Sequence, residues 1–181
     1  QYDYSLPKEL IAQFPVENRA DARLLVVERE QKRIEHWHVR DLPEILSAGD
    51  CLVLNDTRVI PARLVGRRTS TGGRWQGLFL EEAANGLWKL LCKARGRLWP
   101  GETIQLEDRN LRPSVQLQLG ARLDEGIWVA RAETDVETIP LLERIGRIPL
   151  PPYIRGGEMV SADRDAYQTV FAAHPGSVAA P

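Results

Sequence analysis

The sequence predicts a mixed α/β (α+β) fold: an α/β domain interrupted by an inserted small antiparallel β-barrel of about six strands. Three observations predict it. Strand-like and helix-like runs alternate through the first 57 residues, six strand-like runs follow in succession between residues 62 and 133, and a helical period returns after residue 135. Residues 1–62 and 137–181 are assigned to the α/β domain and 63–136 to the barrel, with the chain crossing between them at 58–68 and 133–140.

LLVVERE (24–30) and IEHWHV (34–39) read as paired strands around a polar Gln-Lys-Arg turn. DLPEILSAGD supplies an N-cap at Asp41, Pro43 early in a short helix, and Gly49 as its stop. CLVLN (51–55) then reads as a buried strand that ends in a polar cluster, Asn55-Asp56-Thr57-Arg58, before Val59, Ile60 and Pro61. ARLVGRRT, RWQGLFLEE, GLWKLLCKA, ETIQLE, PSVQLQLGARL and GIWVARAE are the six strand runs. Asn85-Gly86 marks a type I′ hairpin and Asp124-Glu125-Gly126 a second turn. In SVQLQL, period-two alternation puts Val115, Leu117 and Leu119 on one face. Closing such a sheet into a barrel removes its edges. VETIPLLERIG predicts a helix presenting Val136, Ile139, Leu142 and Ile145 and ending at Gly146. IPLPPYI (148–154) is too rich in proline for a central strand, and DRDAYQTVFAAH reads as a last helix with Asp163 at its N-cap.

With 181 residues, 43% hydrophobic and 27% charged, the chain has the composition of a globular protein able to bury a core. No stretch has the apolar length of a membrane span, and no signal peptide is recognisable, so a cytoplasmic location without membrane contact is expected. Cys51 and Cys92, each within an apolar run, read as two buried thiols in a reducing compartment. The net charge of −1 conceals an uneven distribution: −4 over residues 1–57, +7 over 58–99 and −4 over 100–181. The central basic block is either a solvated face or a phosphate-contacting surface.

The 55–63 cluster admits two readings. Asn, Asp and Thr at a strand end suit an Asx turn. The same residues on the rim of an α/β sheet can bind a ligand, with Asp56 accepting from hydroxyls or an amine and Arg58 and Arg63 gripping a carboxylate or phosphate. IPLPPYI is either a rigid connector or a wall that presents Tyr153. His36 and His38 share a strand face, yet no third ligand lies at a useful spacing, so no metal is expected. Trp75, Trp88, Trp99 and Trp128 fall in the barrel and read as core, with a base-stacking platform as the alternative. The sequence contains no G-x-G-x-x-G after a strand, no P-loop and no nucleophile elbow, which disfavours dinucleotide-binding and P-loop chemistries.

Six blocks carry a family resemblance: YDYSLPKELIAQFP (2–15), RADARLLVV (19–27), DLPEILSAGDCLVLNDTRVIPARLVG (41–66), GRLWPGE (96–102), LERIGRIPLPPYI (142–154) and YQTVFAAHPGSVAAP (167–181). In order and spacing, the chain resembles the S-adenosylmethionine:tRNA ribosyltransferase-isomerase family. The resemblance implies transfer and isomerisation of the ribosyl part of S-adenosylmethionine, a co-substrate, onto 7-aminomethyl-7-deazaguanine in a tRNA with a GUN-type anticodon. The product is epoxyqueuosine, an intermediate of queuosine biosynthesis, and adenine and methionine are released. It further implies a monomer with its active site near the junction of the two domains. On that basis Asp56 is the expected base or ribose ligand. Asn55, Thr57, Arg58, Arg63, Tyr153, Tyr167, Gln168 and Thr169 are expected around the co-substrate and base. Arg67, Arg68, Lys93, Arg95 and Arg97 are expected on tRNA phosphates. The segments flanking Pro61 and preceding Tyr153 should then meet as two walls of one cavity. RWQGLFL (74–80) departs from the family, which usually has a carboxylate near Gln76. The family pattern continues past GSVAAP for about as much chain again. The sequence therefore reads as an N-terminal fragment expected to be inactive alone, the alternative being a tRNA- or RNA-binding module of the same fold without catalysis.

Overall fold

In a computed structural model, residues 3–177 are described, and these form two compact units: residues up to Leu54 with Tyr153–Arg155, and Asn55–Pro152 with the residues from Gly156 onward. Tyr2 and the closing VAAP of the outer blocks lie outside the described residues.

The first unit holds an antiparallel hairpin, β1 (Arg23–Glu28) and β2 (Arg33–His38), in the register Leu25↔His36. A one-turn helix α1 (Leu42–Ile45) follows, with a proline in its first turn as expected. It ends before Gly49, which sits in a separate turn at φ 103°. The Asp41 carboxylate does not cap α1; it accepts from the His38 backbone N–H at 2.7 Å. Residues 153–155 attach here through Gln13, whose side chain donates to the Tyr153 carbonyl at 3.1 Å and accepts from the Arg155 N–H at 2.8 Å. None of this unit's described residues is buried.

Two expectations fail at its end. CLVLN is not a buried strand: Leu52, Val53 and Leu54 are exposed, Val53 by 88%, and no ladder partner faces them among the described residues. An apolar run has no strand conformation of its own to impose without a neighbour to complete its hydrogen bonds. Cys51 is likewise exposed, whereas Cys92 is partly buried. Burial pushes the Cys92 thiol up to about 12, against a smaller opposing effect of the Trp75 side chain. At neutral pH, therefore, a thiol reagent should modify one cysteine rapidly, and Cys51→Ser should abolish that fast phase. Two fast thiols in a colorimetric assay would contradict this burial pattern.

The second unit is built on the closed six-stranded antiparallel barrel that the sequence predicts. Its strands are β4 (Arg63–Arg68), β5 (Arg74–Ala83), β6 (Leu87–Ala94), β7 (Thr103–Glu107), β8 (Pro113–Arg122) and β9 (Ile127–Ala132), in the order β4-β5-β6-β9-β8-β7. β3 (Thr57–Val59) leads into it. Asn85 and Gly86 both take positive φ, 65° and 69°, which makes the β5–β6 turn a natural place for Asn-Gly. Register shifts within the β5–β6, β7–β8 and β8–β9 ladders supply the bending that closure requires. At the β4–β7 seam a Cβ on Gly66 would stand 2.5 Å from the Gln105 carbonyl oxygen, so only glycine fits.

Leu64, Trp75, Phe79, Trp88, Leu90, Ile104, Leu106, Val115, Leu117 and Leu119 fill the barrel, and Phe79 meets Trp88 edge-to-face at 5.3 Å. The helix α2 (Thr138–Ile145) packs onto the same core through Thr138, Leu141, Leu142 and Ile145. Its buried stripe keeps half of the predicted one: Leu142 and Ile145 are buried as expected, joined by Thr138 and Leu141. Val136 precedes the helix and Ile139 sits on its outer side, and both are exposed. Thr138 is half of a buried hydrogen bond from the Trp88 indole at 2.9 Å. Gly146, the expected stop, has φ −74° and is needed for a different reason: a Cβ there would overlap the Pro61 carbonyl oxygen.

The last predicted helix is short. α3 spans Asp163–Ala166, and the buried Asp163 carboxylate turns back to accept from the Val160 N–H at 2.7 Å. The chain then reaches β10 (His174–Gly176), which pairs in parallel with β3 in the register Thr57↔His174 and Val59↔Gly176.

Candidate functional site

The polar cluster is organised by that parallel pair. Asn55 makes the Asx turn, its Oδ1 accepting from the Thr57 N–H at 2.9 Å. The Asp56 carbonyl accepts from the backbone N–H groups of Ala173 (2.7 Å) and His174 (3.2 Å). Across the two strands the Asp56 carboxylate meets His174, Oδ2 to Nδ1, at 2.9 Å. Gln168 takes the place of a strand neighbour beside Val59, accepting from its N–H and donating to its carbonyl, each at 2.8 Å. The Thr169 hydroxyl accepts from Phe171 N–H. Two blocks separated by more than a hundred residues thus form one constellation.

Chemically, the arrangement offers a carboxylate–imidazole dyad. Asp56 holds the Nδ1 edge, so the opposite nitrogen of a ring that is 79% exposed faces solvent and is available to a reacting group. Alongside, Arg58, Val59, Ile60, Pro61, Ile148 and Gln168 line a depression of about 420 Å³. Ile148 therefore brings the start of the proline-rich segment to the residues around Pro61. A separate depression of about 290 Å³ sets Arg63 and Lys93 with Pro149 and Leu150. Tyr153 belongs to the other compact unit and is exposed there. Tyr167 directly precedes Gln168 and is half-buried.

The basic residues have different local roles. The Arg68 guanidinium is enclosed, paired with Glu102 and donating to the carbonyls of Arg95 and Arg97 at 3.1 Å each. Arg67 forms a 2.9 Å pair with Glu107 at the surface. Lys93, Arg95 and Arg97 are exposed. Arg97 stacks over Trp99 at 4.4 Å, and Trp99, unlike the buried Trp75, Trp88 and Trp128, is 54% exposed. Among the described residues no group of three or more His, Cys, Asp or Glu could hold a metal ion, and no helix is long and apolar enough to cross a membrane.

Sequence reasoning missed His174. No local spacing marks it, because its partner is 118 residues away. Its presence in the last of the six blocks was the available signal.

A family model described as queuosine biosynthesis protein matches residues 1–181. The chain belongs to that family. Among relatives of the queuosine biosynthesis family, the S-adenosylmethionine:tRNA ribosyltransferase-isomerase of Symbiobacterium thermophilum is 45% identical over 182 residues, covering 99% of this chain and 51% of that protein. The protein of the same name from Thermus thermophilus is 44% identical over 184 residues, covering 99% and 51% respectively. That from Acetivibrio thermocellus is 40% identical over 178 residues, covering 98% and 50%. This member of the family thus spans about half the length of the curated relatives it matches. A crystal structure of S-adenosylmethionine tRNA ribosyltransferase from Thermotoga maritima, at 36% identity, covers 73% of this chain and 44% of that one with a TM-score of 0.33.

Proposed function

We propose that this chain is the N-terminal part of an S-adenosylmethionine:tRNA ribosyltransferase-isomerase. Its substrates are S-adenosylmethionine and a tRNA with a GUN-type anticodon carrying 7-aminomethyl-7-deazaguanine, and its product is epoxyqueuosine. The observation that supports the reading most directly is the joining of the Asn55–Arg58 block to the Gln168–His174 block through the 2.9 Å Asp56–His174 pair.

The sulfonium of S-adenosylmethionine acidifies the adjacent ribose carbon. A base there removes the proton as adenine leaves, the amine of the tRNA base attacks, and closure to the epoxide expels methionine. In this scheme the dyad holds the abstracted proton, with Asp56 fixing the ring of His174. Arg58, at the depression's edge, anchors the methionine carboxylate. Thr57 and Thr169 lie near the ribose, and Tyr153 and Tyr167 are assigned to stack on adenine or the deazaguanine. Asn55 and Gln168 act by holding the backbone of the lip. Arg67, Lys93, Arg95 and Arg97 face tRNA phosphates, while Arg68 shapes the turn that carries the last two.

The test is release of adenine from S-adenosylmethionine, followed chromatographically, with tRNA bearing the modified base. A full-length protein containing this sequence should release adenine, whereas the 181-residue chain should bind tRNA without turnover. Absence of release by the full-length protein would reject the enzymatic reading in favour of an RNA-binding module.

A further inference from the structure

At the β4–β7 end of the barrel lies a cavity of about 470 Å³, larger than the one beside Arg58. Its walls bring together Arg63, Arg67, Arg74, Arg109 and Arg147, with only Glu107 and Glu158 as carboxylates. The way these guanidiniums are held leaves their charge in place. Arg63 donates to the Gly157 carbonyl, Arg109 to those of Gly146 (2.8 Å) and Glu143, and Arg147 to that of Asp108 (2.7 Å). Carbonyls satisfy the N–H groups but carry no net charge to neutralise them. Of the five, Arg67 is the one in a direct ion pair among the described residues, with Glu107.

Three further observations point the same way. The Arg147 Nη1 is buried and has no hydrogen-bond partner. Arg67 and Arg74 lie directly opposite each other in the β4–β5 register, a like-charge pairing that destabilises a sheet and that Glu107 answers on the Arg67 side alone. Burial, then the neighbouring Arg63, lowers the Arg147 pKa against the smaller opposing pull of Glu107 and Asp108, and burial, then Arg164, lowers that of Arg109 against Glu143. The protein keeps five guanidiniums against two carboxylates in the walls of a concave site, an excess of positive charge. Gly157, at φ 80°, makes this possible for Arg63, since a Cβ there would stand 2.6 Å from its Nη1.

We propose that this arginine-lined cavity is a phosphate-binding site that seats a backbone phosphate of an RNA. Planar guanidinium forks match the paired oxygens of a phosphodiester. The cavity is continuous with the basic stretch 58–99, whose net charge of +7 extends the same field along β4 and β5. The choice of RNA as the source rests on the tRNA reading above; the phosphate site itself does not.

The experiment has two arms on the intact chain at low ionic strength. In the first, inorganic phosphate is titrated by calorimetry. One site should be found, and Arg147→Met should weaken it at least about tenfold while leaving thermal stability in phosphate-free buffer equal or higher, since a buried unpaired charge is removed. A destabilised Arg147→Met with unchanged phosphate affinity would make Arg147 a structural residue and overturn the proposal. So would the absence of phosphate binding to the parent chain. In the second arm, affinity for a tRNA transcript is measured against salt. Arg147→Met and the exposed-position variant Arg74→Ala should each reduce the log–log slope by about 0.7 to 1. Phosphate binding with unchanged slopes in both variants would overturn the RNA assignment and leave a site for free phosphate. Phosphate binding by a chain with no affinity for tRNA would defeat the tRNA reading, and with it the choice of RNA, while sustaining the oxyanion site.

Discussion

Glu102→Ala should destabilise the barrel by about 3–5 kcal/mol, seen as a fall in the denaturant midpoint with little change in slope. The Glu102 side chain is 8% exposed and its partner Arg68 12%, so both charges have lost most of their water. Glu102 grips the guanidinium with both oxygens, Oε2 lying 3.1 Å from Nη2. The same guanidinium reaches the carbonyls of Arg95 and Arg97, fastening the 95–97 turn to β4. Removing the carboxylate leaves a cation buried among carbonyl dipoles, and that uncompensated charge dominates the cost. The double variant Arg68→Met with Glu102→Leu should therefore be less destabilised than Glu102→Ala alone, because it removes both charges. Additive losses in the cycle would mean that the pair is not coupled. The Arg67–Glu107 pair provides the contrast. Arg67 is half exposed, and breaking its 2.9 Å contact should cost no more than about 1 kcal/mol.

Arg68 also illustrates why the barrel was legible in the sequence and its surface chemistry was not. Period-two alternation in SVQLQL and the φ demands of Asn85-Gly86 are local properties, and the fold obeys both. Whether a guanidinium faces solvent or a buried carboxylate depends on Glu102, 34 residues on, which no local pattern reveals. Non-local pairing explains the other departures too. The predicted helix through Tyr167 and His174 ends at Ala166. Gln168 instead completes the hydrogen bonds of Val59, and the following chain becomes a strand beside Thr57. In α2 the predicted stripe holds for Leu142 and Ile145 and fails for Val136 and Ile139. The helix begins at Thr138, whose hydroxyl is fixed by Trp88, and that contact sets which side chains turn inward. The lip of the candidate site could be guessed from its dense polar residues. Its second half, His174, follows only from the parallel β3–β10 register.

In a full-length protein carrying this sequence, Asp56→Asn should reduce turnover by about 10³-fold or more while tRNA affinity stays near that of the parent. His174→Gln should have an effect of similar size. The carboxylate accepts at Nδ1 and so keeps the opposite nitrogen of the ring ready to take a proton. An asparagine in its place removes the negative charge and can present its N–H₂ to Nδ1, which favours the wrong tautomer. Loss of fold is a poor alternative explanation for either variant. The Asp56 and His174 side chains are 59% and 79% exposed, and the backbone bonds joining β3 to β10 do not depend on them. Each substitution should thus change stability by no more than about 1 kcal/mol, which thermal melts can verify alongside the kinetics. Since the two residues act as a pair, the double variant should be little slower than either single one. Fully multiplicative losses would show that Asp56 and His174 serve separate steps, and parent-like turnover in both single variants would remove the pair from the chemistry.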